Sequence, residues 1–333
     1  MRDAPTASVT ADSTLAPERA RWFQETMDTL ADHIEQALLG KREVVRLTLT
    51  CLVAGGHLLI EDFPGTGKTM LARSLAASLS SSFARVQFTP DLLPTDILGV
   101  TVYEQHRGEF TFHPGPIFNN LVLADEINRT SPKTQAALLE VMEEGQVTMD
   151  GEGRAVPQPF MVIATQNPIE QVGTYRLPEA QLDRFLMKIS VGYPDQAATE
   201  EMLSASRVRD RAALVTPVIG PAEVTEMTRI VDLVTVDPAI AAYVGRLAEH
   251  SRTMPNVALG VSPRGCLALV RASKAWAVGE GRSALVPEDI VAMAQPVLGH
   301  RLLLTPDAVF DGVSVTSVVD SLIDAVPPPA VRA

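Results

Sequence analysis

Apolar residues recur at steps of three and four through Trp22, Phe23, Met27, Leu30, Ile34 and Leu38, between Pro17 and Gly40. This spacing predicts an amphipathic helix packed on a core. A second helix is predicted over 42–54, ended by Gly55-Gly56. The pattern then changes to short apolar runs at 57–60, 84–88, 121–124, 160–165 and 186–191, with helical stretches between several of them. Such alternation predicts an α/β fold with a parallel sheet between helices.

Two segments interrupt the alternation, and both are predicted to be β-hairpins. In the first, Val100 and Val102 alternate with polar neighbours, His106-Arg107-Gly108 turns, and Phe110 and Phe112 alternate on the return. In the second, Val147 and Met149 lead to the turn Asp150-Gly151-Glu152-Gly153, followed by Ala155-Val156-Pro157. Beyond Asp195 strand signals stop, and helical patterns over 222–236, 238–252, 263–278 and 287–298 predict a smaller all-α unit. The expected divisions are a disordered tail (1–14), an α/β core (15–208) with insertions at 99–113 and 146–157, a linker (209–221), the helical unit (222–325) and a flexible tail (326–333).

Composition narrows the possible functions. The chain of 333 residues is 46% apolar and 20% charged, which suits globular domains and excludes general disorder. Its formal net charge of −12 argues against a surface built to grip nucleic acid or anionic lipid. Cys51 and Cys266 lie far apart in apolar stretches, as buried thiols do, and no metal-ligand cluster is visible. The first residues lack the apolar run of a signal peptide, and no later run reaches the ~18 residues of a membrane span. A soluble, cytoplasmic protein is expected.

The chemistry concentrates at strand ends. Glu61-Asp62-Phe63-Pro64-Gly65-Thr66-Gly67-Lys68-Thr69 joins an apolar strand to a helix containing Met70. A phosphate needs converging backbone N–H groups, glycines that leave room, and a helix N-terminus, and this segment offers all three. Lys68 would reach the β- and γ-phosphates and Thr69 would ligate Mg²⁺, with residues 64–70 cradling the nucleotide. Asp62 stands where the usual pattern has its first glycine.

A second apolar strand delivers Asp125 and Glu126. An acidic strand end alone is as often a solvated cap, but behind a phosphate loop Asp125 can hold Mg²⁺ while Glu126 polarises water. A third strand ends at Asn167, either a turn starter before Pro168 or an amide that holds the attacking water. Arg184 falls late in a short predicted helix, where a cation suits the dipole without any function. Arg264 follows an N-cap serine, Ser262, and Pro263, so it lies in a first turn whose dipole disfavours it. A nearby anion, such as a γ-phosphate, would remove the conflict.

The stretches EDFPGTGKT, LPTDILG, PGPIF, LVLADEINRTSPKTQAALLEVMEEGQVT, IATQNPIEQVGTYRLPEAQLDRF and VSPRG, in this order, resemble a MoxR-family AAA+ ATPase from about residue 20 to about residue 325. The resemblance implies ATP and Mg²⁺ as ligands. It implies Walker A roles for Lys68 and Thr69, Walker B roles for Asp125 and Glu126, sensor 1 for Asn167, an arginine finger at Arg184 and sensor 2 at Arg264. It also implies a ring, generally a hexamer, whose nucleotide sits between core and lid and whose output is remodelling of a protein client. The family usually works with a partner bearing a von Willebrand factor A domain. Related readings are a nucleic-acid motor, a chelatase-type subunit for metal insertion, and a non-motor nucleotide switch.

Overall fold

The computed structural model describes residues 15–168, 175–204 and 210–330. The expected tail 1–14, residues 169–174 of the motif after Pro168, residue 209 of the expected linker and the last three residues lie outside them. Two helices come first, α1 (Pro17–Glu35) and α2 (Arg42–Val53). The first buries Phe23, Met27, Leu30 and Ile34 along one face, whereas Trp22 lies at the edge of that face and stays 37% exposed.

The strands β1 (Leu58–Glu61), β2 (Phe83–Gln87), β5 (Leu121–Asp125), β8 (Met161–Gln166) and β9 (Met187–Ile189) form one parallel sheet in the order β2-β5-β8-β1-β9. Period-two alternation divides its side chains between two apolar clusters. Leu58, Ile60, Leu121, Leu123, Met161 and Ile163 face one side. Leu59, Val122, Ala124, Val162 and Ala164 face the other. Burying each large aliphatic chain is worth roughly 1.5–3 kcal/mol, which explains why the central strands are apolar on both faces. From β1 the chain crosses to the far edge at β2 and then fills inward, so the carboxyl ends of β1, β5 and β8 border a switch-point crevice.

Between these strands lie α3 (Lys68–Ser78), α4 (Pro94–Leu98), α5 (Pro132–Glu144) and the single turn α6 (Glu179–Leu182). Both hairpins are present. Strand β3 (Gly99–Glu104) pairs with β4 (Glu109–Pro114), and β6 (Gln146–Met149) pairs with β7 (Glu152–Ala155). The second turn is tighter than its sequence suggests: Asp150 and Gly151 alone make it, both with positive φ (55° and 80°), and Glu152 already pairs with Met149. The hairpins lie side by side, with Arg154 4.3 Å over the Phe112 ring and Thr101 donating to Asp150.

The helical part contains α7 (Gln196–Ser204), α8 (Pro221–Asp232), α9 (Pro238–Ser251), α10 (Pro263–Gly279), α11 (Pro287–Leu298), α12 (Pro306–Phe310) and α13 (Val315–Ala325). It also carries a short antiparallel ribbon, Val257–Leu259 against Leu303–Leu304, that the hydropathy pattern does not announce because five residues are too few to show a period. One apolar cluster runs from α1, α2 and the sheet into α8–α11. Cys51 is buried, Cys266 is half-buried, and both are free thiols. Among the described residues no helix is long and apolar enough to cross a membrane.

Candidate functional site

The turn from β1 to α3 builds an anion cradle. Gly65 and Gly67 take φ of 84° and 98°, a region that a side chain would resist. A Cβ on Gly67 would meet Leu38 at 2.8 Å, while the space over Gly65 is open. Thr66 is buried, and Lys68 and Thr69 open α3 with its N-terminal N–H groups toward the cradle. The Lys68 ammonium donates to the carbonyls of Asp62 (2.6 Å) and Phe63 (2.9 Å), holding the loop in shape. Burial lowers the Lys68 pKa, against the opposing pull of Asp62, Asp125 and Glu126.

Asp62 explains the missing first glycine of the loop. Its Oδ2 accepts the N–H groups of Val191 (2.8 Å) and Gly192 (2.6 Å) and the Ser190 hydroxyl (3.1 Å), while Oδ1 accepts Phe63 N–H (2.7 Å). Burial alone would raise this carboxyl's pKa, but the donors, led by Gly192 and Phe63, outweigh it and hold the group below the usual carboxylate range.

Strand β5 ends at Asp125, and Glu126 follows in a left-handed conformation (φ 59°), so the two carboxylates diverge. Thr165 of β8 fixes both: its hydroxyl donates to Asp125 Oδ1 (2.6 Å) and accepts the Glu126 N–H (2.9 Å). The edge strand β2 supplies two further partners that lie outside every sequence motif named above. Arg85 donates to Asp125 Oδ2 (2.7 Å), and Gln87 donates to Glu126 Oε2 (2.7 Å), which Arg129 also reaches at 2.9 Å. Their spacing of two places both on one face of β2, a signal that could have pointed to them.

These elements enclose a cavity of about 390 Å³ lined by Pro64, Gly65, Gly67, Lys68, Thr69 and Met70 of the loop, by Asp125 and Glu126, and by Asn167. Arg85, Thr165 and Gln166 complete the wall. For Mg²⁺, the available donors are a hydroxyl (Thr69) and a carboxylate (Asp125), hard oxygens of the right kind. Among the described residues no cluster of three acidic, histidine or cysteine side chains could cage a metal. The Thr69 hydroxyl and the Asp125 carboxylate are the kind of donor pair that shares Mg²⁺ with nucleotide phosphates. The Arg85 guanidinium on Asp125 shows that this carboxylate accepts a cation on its cavity side.

Arg184 and Arg264 are not in this cavity. They border a second one, of about 270 Å³, with Glu143, Asp183, Arg271 and Arg301. Arg184 lies just past α6 rather than late within it, its N–H bonded to Gln181 O at 3.2 Å. Ser262 caps α10 by accepting Gly265 N–H (3.0 Å), so Arg264 does occupy a helix first turn. The anion that offsets the dipole there is Glu143: its Oε1 accepts a hydrogen bond from Arg264 Nη1, and its Oε2 forms an ion pair with Arg184 Nη2, each at 3.1 Å. The γ-phosphate expected beside Arg264 from its first-turn position has a counterpart within the chain, Glu143, which no sequence motif marks.

Comparison with known proteins agrees with this geometry. Residues 57–187 match the "ATPase family associated with various cellular activities (AAA)", and residues 249–322 match the AAA lid domain. The chain is 46% identical over 314 residues to the Bacillus subtilis protein YeaC, covering 93% of this chain and 98% of that relative. It is 38% identical over 317 residues to chaperone MoxR1 of Mycobacterium tuberculosis, covering 92% of this chain and 84% of that one. A crystal structure of a Cytophaga hutchinsonii protein, described as a candidate ATPase, superposes with a TM-score of 0.87 at 34% identity, covering 94% and 98% of the two chains. With its phosphate loop, paired strand-end carboxylates and helical lid, the chain belongs to the MoxR family of AAA+ ATPases.

Proposed function

We propose that the protein hydrolyses ATP to ADP and phosphate, and that as an oligomeric ring it uses this reaction to remodel a protein client. The separation of charge between two cavities carries the reading. The first holds Lys68 and the hydrolytic carboxylates, while Arg184 and Arg264 face a second. A lone protomer therefore lacks two of the cations that would neutralise the transferred phosphoryl group. A neighbour in a ring would supply them, an effect worth about 10³–10⁵ in rate for one such arginine.

In this reading Lys68 and the loop N–H groups hold the β- and γ-phosphates. Thr69 and Asp125 would hold Mg²⁺, which supplies charge neutralisation across those phosphates. Asn167 positions a water against the γ-phosphorus, and Glu126 takes its proton as the bond to the bridging oxygen breaks. Gln87 and Arg129 both hold Glu126 by its Oε2, which orients the carboxylate and leaves Oε1 to take the proton.

A protein client suits the hairpins better than a nucleic acid does. Val100, Val102, Tyr103 and Phe110 are exposed on the first, and the chain's net charge is −12. The chaperone name of one relative points the same way. By family resemblance, a partner with a von Willebrand factor A domain would help select the client, and the ring would be a hexamer working in the cytoplasm.

Mixing Lys68→Ala and Arg184→Ala subunits tests the shared site. Each alone should be inactive, while co-assembled rings should recover about a quarter of wild-type turnover, the fraction of interfaces with both groups intact. No recovery in rings shown to contain both subunits would overturn the reading. Stimulation of turnover by DNA, falling steeply with salt, would instead favour a nucleic-acid motor.

A further inference from the structure

We propose that Glu143 is a positioning residue that occupies Arg184 and Arg264 until a neighbour's γ-phosphate displaces it, and that its release passes nucleotide engagement to the second hairpin. The inference rests on the proposed trans role of the two arginines. Each Glu143 oxygen takes one guanidinium, both at 3.1 Å, so the carboxylate fills the place that two oxygens of a phosphoryl group would take.

The exchange is energetically open. Glu143, Arg184 and Arg264 are all partly exposed, and ion pairs in such settings hold weakly. The cavity sets four arginines against two carboxylates, so it stays positive even with Glu143 in place. Asp183 holds the buried Arg301 through Oδ1 (2.7 Å) and pairs with Arg264 through Oδ2 only at 3.8 Å, so Glu143 is the nearer carboxylate to Arg264. A phosphate carrying more charge than one carboxylate would therefore take over the pair.

The position of Glu143 in α5 gives its release a direction. One residue upstream, the Met142 carbonyl is held by His57 Nε2 (3.0 Å), while His57 Nδ1 accepts the Val162 N–H (3.0 Å). That bond ties the helix to the sheet. Two residues downstream, Gly145 ends α5 in a left-handed turn (φ 65°), and β6 starts at the next residue. Gly145 O also accepts the N–H of Val156, just past β7, so both ends of the hairpin meet there. Movement of Glu143 thus acts on residues 143–145 and the hairpin, and through Arg154 and Asp150 on the first hairpin as well.

Two readouts on full-length protein test this. In Glu143→Gln, where the competing charge of Glu143 is removed, half-maximal ATP turnover should occur at about tenfold lower subunit concentration than in wild type. A merely structural Glu143 would raise that concentration. In hydrogen exchange, the amides of 146–155 should exchange faster in wild type with ATP than without it, and in Glu143→Gln should exchange at the faster rate without nucleotide. Glu143→Asp, which keeps the charge on a shorter arm, should fall between the two. If mixed Lys68→Ala and Arg184→Ala rings recover activity yet Glu143→Gln matches wild type in both readouts, the Glu143 proposal alone falls. If the mixed rings recover nothing, the trans reading falls and this inference with it.

Discussion

Asp62 Oδ2 accepts the Gly192 N–H at 2.6 Å, which ties the phosphate loop to the segment leaving the edge strand β9. The carboxylate thereby fixes the loop from outside the nucleotide cavity, at a position where a glycine could fix nothing. Asp62→Asn removes the charge and turns donors toward donors. We expect a loss of about 2 kcal/mol, or about 4 °C in Tm, together with weaker ATP binding. Because the folded carboxyl lies below its unfolded value, this stabilisation is complete above the ordinary carboxylate range and disappears as pH falls through the folded pKa. Calorimetry and nucleotide titration of the variant check both effects.

Arg85 sits on Asp125 as a resident cation, at 2.7 Å. Mg²⁺ must compete with it, so Arg85→Ala is expected to lower the Mg²⁺ concentration needed for half-maximal nucleotide binding by several-fold, roughly 1 kcal/mol. Titrating Mg²⁺ at fixed ATP and following nucleotide binding measures this. An unchanged requirement would mean that the guanidinium leaves Asp125 at no cost.

His57 and His300 are buried and neutral, with pKa values lowered by burial to about 4 and about 3. An unfolded chain takes up protons on both near pH 6.5, whereas the folded chain does not until pH 4 or below. Stability should therefore be full above about pH 6.5 and fall with acidification toward pH 4, by on the order of 3 kcal/mol from His57 alone. Urea unfolding at pH 7.5 and 5.0 checks this, and His57→Gln should flatten part of the slope.

The phosphate loop was legible because its chemistry is local: the turn needs glycines, and the lysine and threonine follow at fixed spacing. Asp125 and Asn167 were legible for a related reason, since an apolar strand ending in a polar group places that group at the crevice. For Arg85 and Gln87 the spacing of two marks a shared strand face, but what that face and Thr165 meet depends on which strands become neighbours, and the order β2-β5-β8 is not written in any one segment. Glu143 was hidden differently. On a helix with Glu140 and Glu144 nearby, nothing local marks the carboxylate that will face two arginines from 41 and 121 residues away. Arg264 shows the intermediate case: its unfavourable first-turn position predicted an anion, but only the fold supplied Glu143 as that anion.

The most direct measurement is phosphate release from Mg·ATP by wild type and Glu126→Gln, with nucleotide binding measured on the same samples. The account predicts that Glu126→Gln binds ATP as wild type does while its turnover drops by about 10²-fold or more. Equal turnover in the two proteins, or no release by assembled wild type, would contradict it.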